Sequence, residues 1–565
     1  VTVFRVWAPE VQHVDLVADG TAVRMRESAG WWEAVASCTD YGFSLDDGPV
    51  RPDPRSAWQP HGVHGLSRVY DHSSFAWDDQ QWHGVPLAGS VLYELHVGTF
   101  TAEGTFDAAI DRLDHLADLG ISAVELLPCN AFDGRWGWGY DGVAWFAVHE
   151  PYGGPDGLKR FVAAAHARGI GVVMDVVYNH LGPAGNYLPE FGPYLTEAHT
   201  TPWGSAVNLD RAGSDEVRRY ILDNVAMWLR DYHLDGLRVD AVHALVDESA
   251  THLLEEMSRE VAALGAQLRK PLWLVAESDL NDPRMVQPRE AGGLGMDGQW
   301  CDDVHHALHA LLTGETSGYY TDFGSLEVLA KAMTGAFVHD GTWSTFRGRT
   351  HGRVVPPSVP GHRFVVYAQD HDQVGNRALG DRPALSPGLA RVAAALYLLS
   401  PYTPMIFMGE EYGATTPWQF FSDHSGDLAT AVREGRRQEF ARHGWSTGDV
   451  PDPQDPATFQ ASKLDWELDD DLLAFYRSLI ALRRSRLDLA DGRRDLVSVT
   501  WDEDDRWFVL SRGQVAVACN LSPERQALPV PGNASQLLLA SSSGWAFGSG
   551  RVETDGESVV VLELS

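Results

Sequence analysis

The sequence predicts a closed (β/α)8 TIM barrel flanked by an N-terminal β-sandwich and a small C-terminal one. Three observations carry that expectation. Apolar runs alternate with helical stretches eight times, polar residues gather where those runs end, and short alternating segments lie before and after them. A chain of 565 residues is too long for one ordinary core, so several domains are expected.

Residues 1–87 contain VTVFRVWAP, VQHVDLVA and WWEAVAS, separated by Gly, Pro and Asp, the pattern of a sandwich domain such as an early-set or carbohydrate-binding-like module. The texture changes at Val91. VLYELHV (91–97) is followed by an amphipathic helix expected over Phe106 to Leu119, and then by ISAVELLP (121–128), GIGVVMDVV (169–177) and DGLRVDA (235–241). PLWLVAE (271–277), LGMDGQW (294–300), RFVVYAQ (363–369) and TPMIFMG (403–409) complete the eight. Helical segments such as SDEVRRYILDNVAMWLRDYH, with a Ser cap and acidic first turn, lie between most of them. A doubly wound open sheet is the alternative, but no GxGxxG follows the first run. The barrel is expected over 88–487, closing after LLAFYRSLIALRRSR, with an irregular stretch from Glu411 to Asp465 behind the eighth strand and a β domain over 488–565.

Composition excludes more than it identifies. Lys and Arg total 44 against 78 Asp and Glu, a net charge of -34 that repels nucleic acid and anionic membranes. No run of apolar residues is long enough to span a bilayer, so a soluble protein is expected. Cys38, Cys129, Cys301 and Cys519 form no CxxC pair, and the first residues read as a strand and not as a leader, which makes cytoplasm the expected location.

Residues just past the C-terminal ends of barrel strands share one face. Asp175, Asp240, Glu277 and Asp370-His371-Asp372 stand at such positions, so these carboxylates are expected to converge. Paired carboxylates suit glycosidic cleavage, where one group meets an oxocarbenium-like carbon and another protonates the leaving oxygen. A divalent-metal hydrolase is the competing use of such a cluster. Two features favour the sugar. Trp136, Trp138, Tyr140, Trp203, Trp343, Phe346 and the aromatics of 418–421 crowd the same loops, and Arg238, two residues before Asp240, would keep a nucleophile ionised.

DVVYNH (175–180), GLRVDAVH (236–243), LVAES (274–278) and QDHDQVGN (369–376) resemble, in order and spacing, the four signature regions of the alpha-amylase family of glycoside hydrolases. The resemblance implies a retaining enzyme with Asp240 as nucleophile, Glu277 as general acid and base, and Asp372 holding ring hydroxyls at the cleavage subsite. It further implies that Arg238, His180, His371 and Tyr140 line that subsite, that Asp175 braces it, and that His243 lies just beyond. Asp240 and Glu277 are then expected about 5 to 6 Å apart. The family usually has Asn where this chain has Asp370, which is expected to pair with Arg377 or Arg382. Trp203, Phe346 and the 418–421 cluster are candidate outer-subsite platforms. No cofactor is expected and no metal required, although Asn179 matches a position that helps hold calcium in some amylases.

RPDPRSAWQPHGVHGLSRVYD (51–71), WGYDGVAWFAVHEPYGGPDGLKRFV (138–162) and TPWGSAVNLD (201–210) resemble the trehalose-releasing branch of that family. That resemblance implies cleavage of the α-1,4 bond beside the terminal trehalose of maltooligosyltrehalose, after a partner synthase has made that end. A glycogen branching enzyme, with the same carboxylates but a sugar acceptor, is the nearest alternative.

Overall fold

The computed structural model describes residues 1–442 and 450–565. Its centre is a closed barrel of eight strands, Leu92–Leu95, Ala123–Leu126, Gly171–Val176, Gly236–Val239, Trp273–Ala276, Gly298–Trp300, Phe364–Val366 and Thr403–Phe407. Each falls within one of the eight apolar runs, and every pair of neighbours is parallel.

The two-residue period of a strand sorts the barrel interior into layers. Leu92, Ala123, Val173, Trp273, Val275, Trp300, Val365, Tyr367 and Met405 pack together as one apolar cluster. Two residues beyond the first three stand Glu94, Glu125 and Asp175, all buried. Arg238 is in register with Asp175 on the fourth strand. An apolar floor therefore carries a charged upper layer at the C-terminal end of the barrel.

The outer helices include Gly154–Ala167, Ser214–Asp231, Leu253–Leu268, Leu326–Gly335 and Pro387–Leu398. The helix expected over Phe106 to Leu119 is divided into Phe106–Ile110 and Leu113–Leu119. The break lies at Asp111 and Arg112, where the Arg112 amide takes the Ala109 carbonyl and so tightens the turn. The stretch from Glu411 to Asp465 is not irregular throughout: it holds helices Gly426–Arg442 and Pro456–Ala461, with 443–449 outside the described residues. Gly426–Arg442 carries charges on several faces (Asp427, Arg433, Glu434, Arg436, Arg437), so it has little apolar stripe for a periodicity reading to find.

Before the barrel, Thr2–Trp7, Trp31–Ala36 and Arg26–Ser28 make one antiparallel sheet, and Thr21–Arg24, Val14–Ala18, Asp40–Leu45 and Val50–Arg51 another, joined by Ser67–Arg68. Trp7 packs edge-on against Tyr194 at 5.2 Å, and Trp31 Nε1 donates to Glu216, fixing the first sheet beside the loop after the third barrel strand and the start of helix Ser214–Asp231. After the barrel, Asp470–Ser485 is followed by a five-stranded and a three-stranded sheet within 497–564. Buried Arg483 and Arg512 both donate to the Ser400 carbonyl, which ties the last barrel helix and this sheet to one loop. All four cysteines are free thiols. No helix among the described residues is long and apolar enough to cross a membrane.

Candidate active site

Arg238 organises the charged layer. Its Nη1 donates to Asp175 Oδ2 at 2.6 Å and to Asp240 Oδ1 at 2.8 Å, and its Nη2 lies 3.0 Å from Glu277 Oε2. The guanidinium is buried with Trp300 4.3 Å away, so a single cation meets three carboxylates out of water's reach. Burial pushes the Asp175, Asp240 and Glu277 carboxyls up, and the Arg238 charge opposes that rise in each.

Asp240 and Glu277 are held differently. Asp240 accepts on both oxygens, Oδ1 from Arg238 and Oδ2 from Asn179 Nδ2 at 2.8 Å, which favours its ionised form. Glu277 takes Arg238 and the Ala241 amide, at 2.7 Å, on the same Oε2. Oε1 is left to carry a proton, and the side chain is the more open of the two, 21% exposed against 11%. The charge of Asp240 is among the causes that raise the Glu277 carboxyl, so the two acids act on one another across the site.

Asp372, half-buried, accepts from Asn376 Nδ2 at 2.8 Å through Oδ1. His371 bonds Glu94 through Nδ1 at 2.5 Å and Tyr140 through Nε2 at 2.8 Å, and the Tyr140 hydroxyl donates to Asp175 at 2.6 Å. His180 touches the Tyr140 carbonyl and Asn179 Oδ1, and the ring of Trp203 stacks on it at 4.6 Å. Trp203 is 49% exposed and so stands at the mouth. His243 is exposed one turn beyond Asp240, and its charge acts on Glu277. Asn179, the position associated with calcium, spends its amide on Asp240 and its oxygen on His180.

Two readings of the sequence are corrected here. Asp370 pairs with neither Arg377 nor Arg382: it is fully buried and caps the short helix His371–Gly375, its Oδ1 accepting from the Gln373 amide at 2.6 Å. Arg377 goes to Glu315 and Asp381, and Arg382 to the carbonyls of Thr416 and Met408 and to Gln369. Burial drives the Asp370 carboxyl well up, and it caps the turn where the family usually has Asn. Trp418 and Phe421 are fully buried, and Trp418 stacks on Trp138 at 5.2 Å, so they support the loops and offer no face to a sugar. A cavity of about 720 Å³ lies between Leu308, Arg382, Glu410 and Tyr476, lined by none of the three principal carboxylates.

The family described as alpha amylase, catalytic domain, matches residues 69–193, and a domain of unknown function, DUF3459, matches 492–561. A solved structure described as a putative alpha amylase from Salmonella typhimurium is 39% identical with a TM-score of 0.90, covering 99% of this chain and 97% of that one. A malto-oligosyltrehalose trehalohydrolase of Arthrobacter ramosus is 53% identical over 99% of both chains. One from Mycobacterium tuberculosis is 52% identical over 100% of this chain and 99% of its own. The chain belongs to the malto-oligosyltrehalose trehalohydrolase family. It is a glycosidase on an alpha-amylase-type barrel.

In this trehalohydrolase-family chain three acidic residues at the site went unread in the sequence. Glu94 and Glu125 each interrupt an apolar run at an inward position, which was their visible signal. Asp302 opens the helix Asp302–Thr313 after the sixth strand and accepts from the Tyr367 hydroxyl. Burial, together with the charges of Glu277 and Asp372, pushes its carboxyl up to about 7.

Proposed function

We propose that this chain hydrolyses the α-1,4-glucosidic bond next to the terminal α,α-trehalose of maltooligosyltrehalose, releasing trehalose and a maltooligosaccharide. The observation that carries this reading is the 53% identity, end to end, with the Arthrobacter protein of that name. The different settings of Asp240 and Glu277 on Arg238 support the chemistry.

In this reading Glu277 gives its proton to the glycosidic oxygen as Asp240 attacks the anomeric carbon from the other face. The bond to trehalose breaks, and a glycosyl ester to Asp240 forms. Glu277, now a carboxylate, takes a proton from water, the hydroxide oxygen replaces Asp240, and the product keeps its anomeric configuration. Asp372 holds ring hydroxyls at the cleavage subsite. Tyr140 stacks on that ring, His180, His371 and Arg238 surround it, and Trp203 and His243 meet the sugars beyond. Asp175 braces Arg238 and Tyr140. The substrate comes from a synthase that converts the reducing end of a maltooligosaccharide into trehalose, and four free thiols suit a reducing cytoplasm.

Incubation with maltotriosyltrehalose and, separately, maltopentaose tests the assignment. Trehalose with maltotriose from the first and slow cleavage of the second are expected. New α-1,6 branches on amylose without release of trehalose would instead mark a glucan transferase.

A further inference from the structure

We infer that Glu94, on the first barrel strand, is a positioning residue that holds His371 as an imidazolium and through it fixes the hydrogen-bond chain ending on Asp240. The inference rests on the reading of Asp240 as nucleophile given above.

Glu94 grips His371 at two points. Oε2 accepts from the His371 amide at 2.9 Å and Oε1 meets Nδ1 at 2.5 Å. From there Nε2 reaches the Tyr140 oxygen, Tyr140 donates to Asp175 Oδ2, Arg238 Nη1 donates to that same oxygen, and Nη1 also donates to Asp240. The Tyr140 hydroxyl decides the protonation. It has one hydrogen, committed to a carboxylate, so its oxygen must accept from Nε2. A neutral imidazole has one N–H: placed on Nε2 it leaves a lone pair facing the Glu94 carboxylate, and placed on Nδ1 it leaves a lone pair facing the Tyr140 oxygen. With the proton on the ring and not on Glu94, the cation satisfies both ends.

The surroundings allow that cation. The titratable groups acting on His371 are Glu94 on the first strand, Tyr140 after the second, Arg238 on the fourth and Asp372 on its own turn. Glu125, Asp175, Asp370 and His96 also feel its charge or share its neighbours. Burial alone would push the imidazole down, but the charge and hydrogen bond of Glu94 raise it to about 10. Burial drives the Glu125 and Asp370 carboxyls well up, and Glu94 is the carboxyl in direct contact with the ring. The site thus holds a second cation besides Arg238, joined to the nucleophile through Tyr140, Asp175 and Arg238.

Three proteins test this: the wild type, Glu94→Gln, which keeps the shape and removes the charge, and Glu94→Asp, which keeps the charge. Nitrogen-15 NMR of histidine-labelled enzyme, with His371 assigned by its absence in His371→Asn, reads the protonation directly and needs no turnover. The wild type is expected to show an imidazolium at pH 8, Glu94→Gln a neutral ring, and Glu94→Asp a return toward the cation. On maltotriosyltrehalose at pH 8, Glu94→Gln should lose about tenfold or more in kcat with KM little changed, recovering toward acid pH as the ring reprotonates. A neutral His371 in the wild type at pH 8 would overturn the inference, as would a Glu94→Gln enzyme with the wild-type pH profile. If the wild type released no trehalose while His371 proved cationic, the substrate reading would fail and the assignment of Glu94 would stand.

Discussion

Arg238 Nη2 lies 3.0 Å from Glu277 Oε2, the oxygen that also accepts the Ala241 amide, so both donors fall on one side of the carboxyl. A carboxylic acid held this way keeps its other oxygen for the proton it must deliver. The same guanidinium, through Nη1, favours the ionised form of Asp240. One guanidinium thereby meets the two acids of a shared pocket on different terms, as the proposed division of nucleophile and acid requires.

Replacing Glu277 by Gln removes the proton but not the shape. Cleavage of maltotriosyltrehalose should fall about 10²- to 10⁴-fold, whereas an α-maltosyl fluoride, whose leaving group needs no protonation, should lose far less. Initial rates on both substrates decide it, and equal losses on the two would remove Glu277 from the acid role.

Arg238→Lys keeps a charge but cannot span Asp175, Asp240 and Glu277 in one plane. A drop of about 10²- to 10³-fold in kcat/KM is expected, the scale of losing a preorganised charged donor. Steady-state kinetics with circular dichroism to verify the fold provide the check, and near-wild-type turnover would show that the fork geometry is dispensable.

Asp302 gives a pH-dependent stability of stated sign. Its folded value of about 7 lies above the roughly 3.9 of an unfolded Asp, so the native state binds the extra proton between those limits. This group therefore costs stability progressively as pH rises through about 4 to 7. Asp302→Asn removes the cost, and its melting temperature should gain on the wild type from pH 5 to pH 8. A constant difference across that range would place the Asp302 titration elsewhere.

Arg483 donates to the carbonyls of Leu398, Ser400 and Tyr402 from a buried position, and in Arg483→Ala the Leu398 and Tyr402 carbonyls lose that donor while Ser400 keeps Arg512. A loss of about 3 to 5 kcal/mol is expected in denaturant unfolding. The folded fraction should keep its kcat, since the residue lies at the base of the last barrel helix and away from the carboxylates.

Much of this architecture was legible because barrel strands announce themselves: each apolar run holds a strand, and three of the carboxylates at their ends, Asp175, Asp240 and Glu277, meet on Arg238. What stayed hidden depended on packing in three dimensions. Trp418 and Phe421 look like loop aromatics in sequence, and only the way their loop folds onto Trp138 buries them. Asp370 reads as an ion-pair partner for Arg377 or Arg382 because helix capping by its side chain depends on a five-residue turn too short to show a period. Asp302 reads as an ordinary acidic residue in a helix's first turn, and nothing local tells that Glu277 and Asp372 lie close enough to raise it. Glu94 and Glu125 went unread although a signal was there, since a Glu at an inward position of an apolar strand demands a partner.

The central claim, that Asp240 becomes covalently bound to the sugar, is tested most directly by trapping. The enzyme is incubated with a 5-fluoro-α-maltosyl fluoride, a donor whose ester hydrolyses slowly, then denatured, digested and mapped by mass spectrometry. The account predicts one maltosyl-ester adduct, on the peptide carrying Asp240 and absent in Asp240→Asn. An adduct on Glu277 or Asp372, or an inactivated enzyme with none on Asp240, would contradict it.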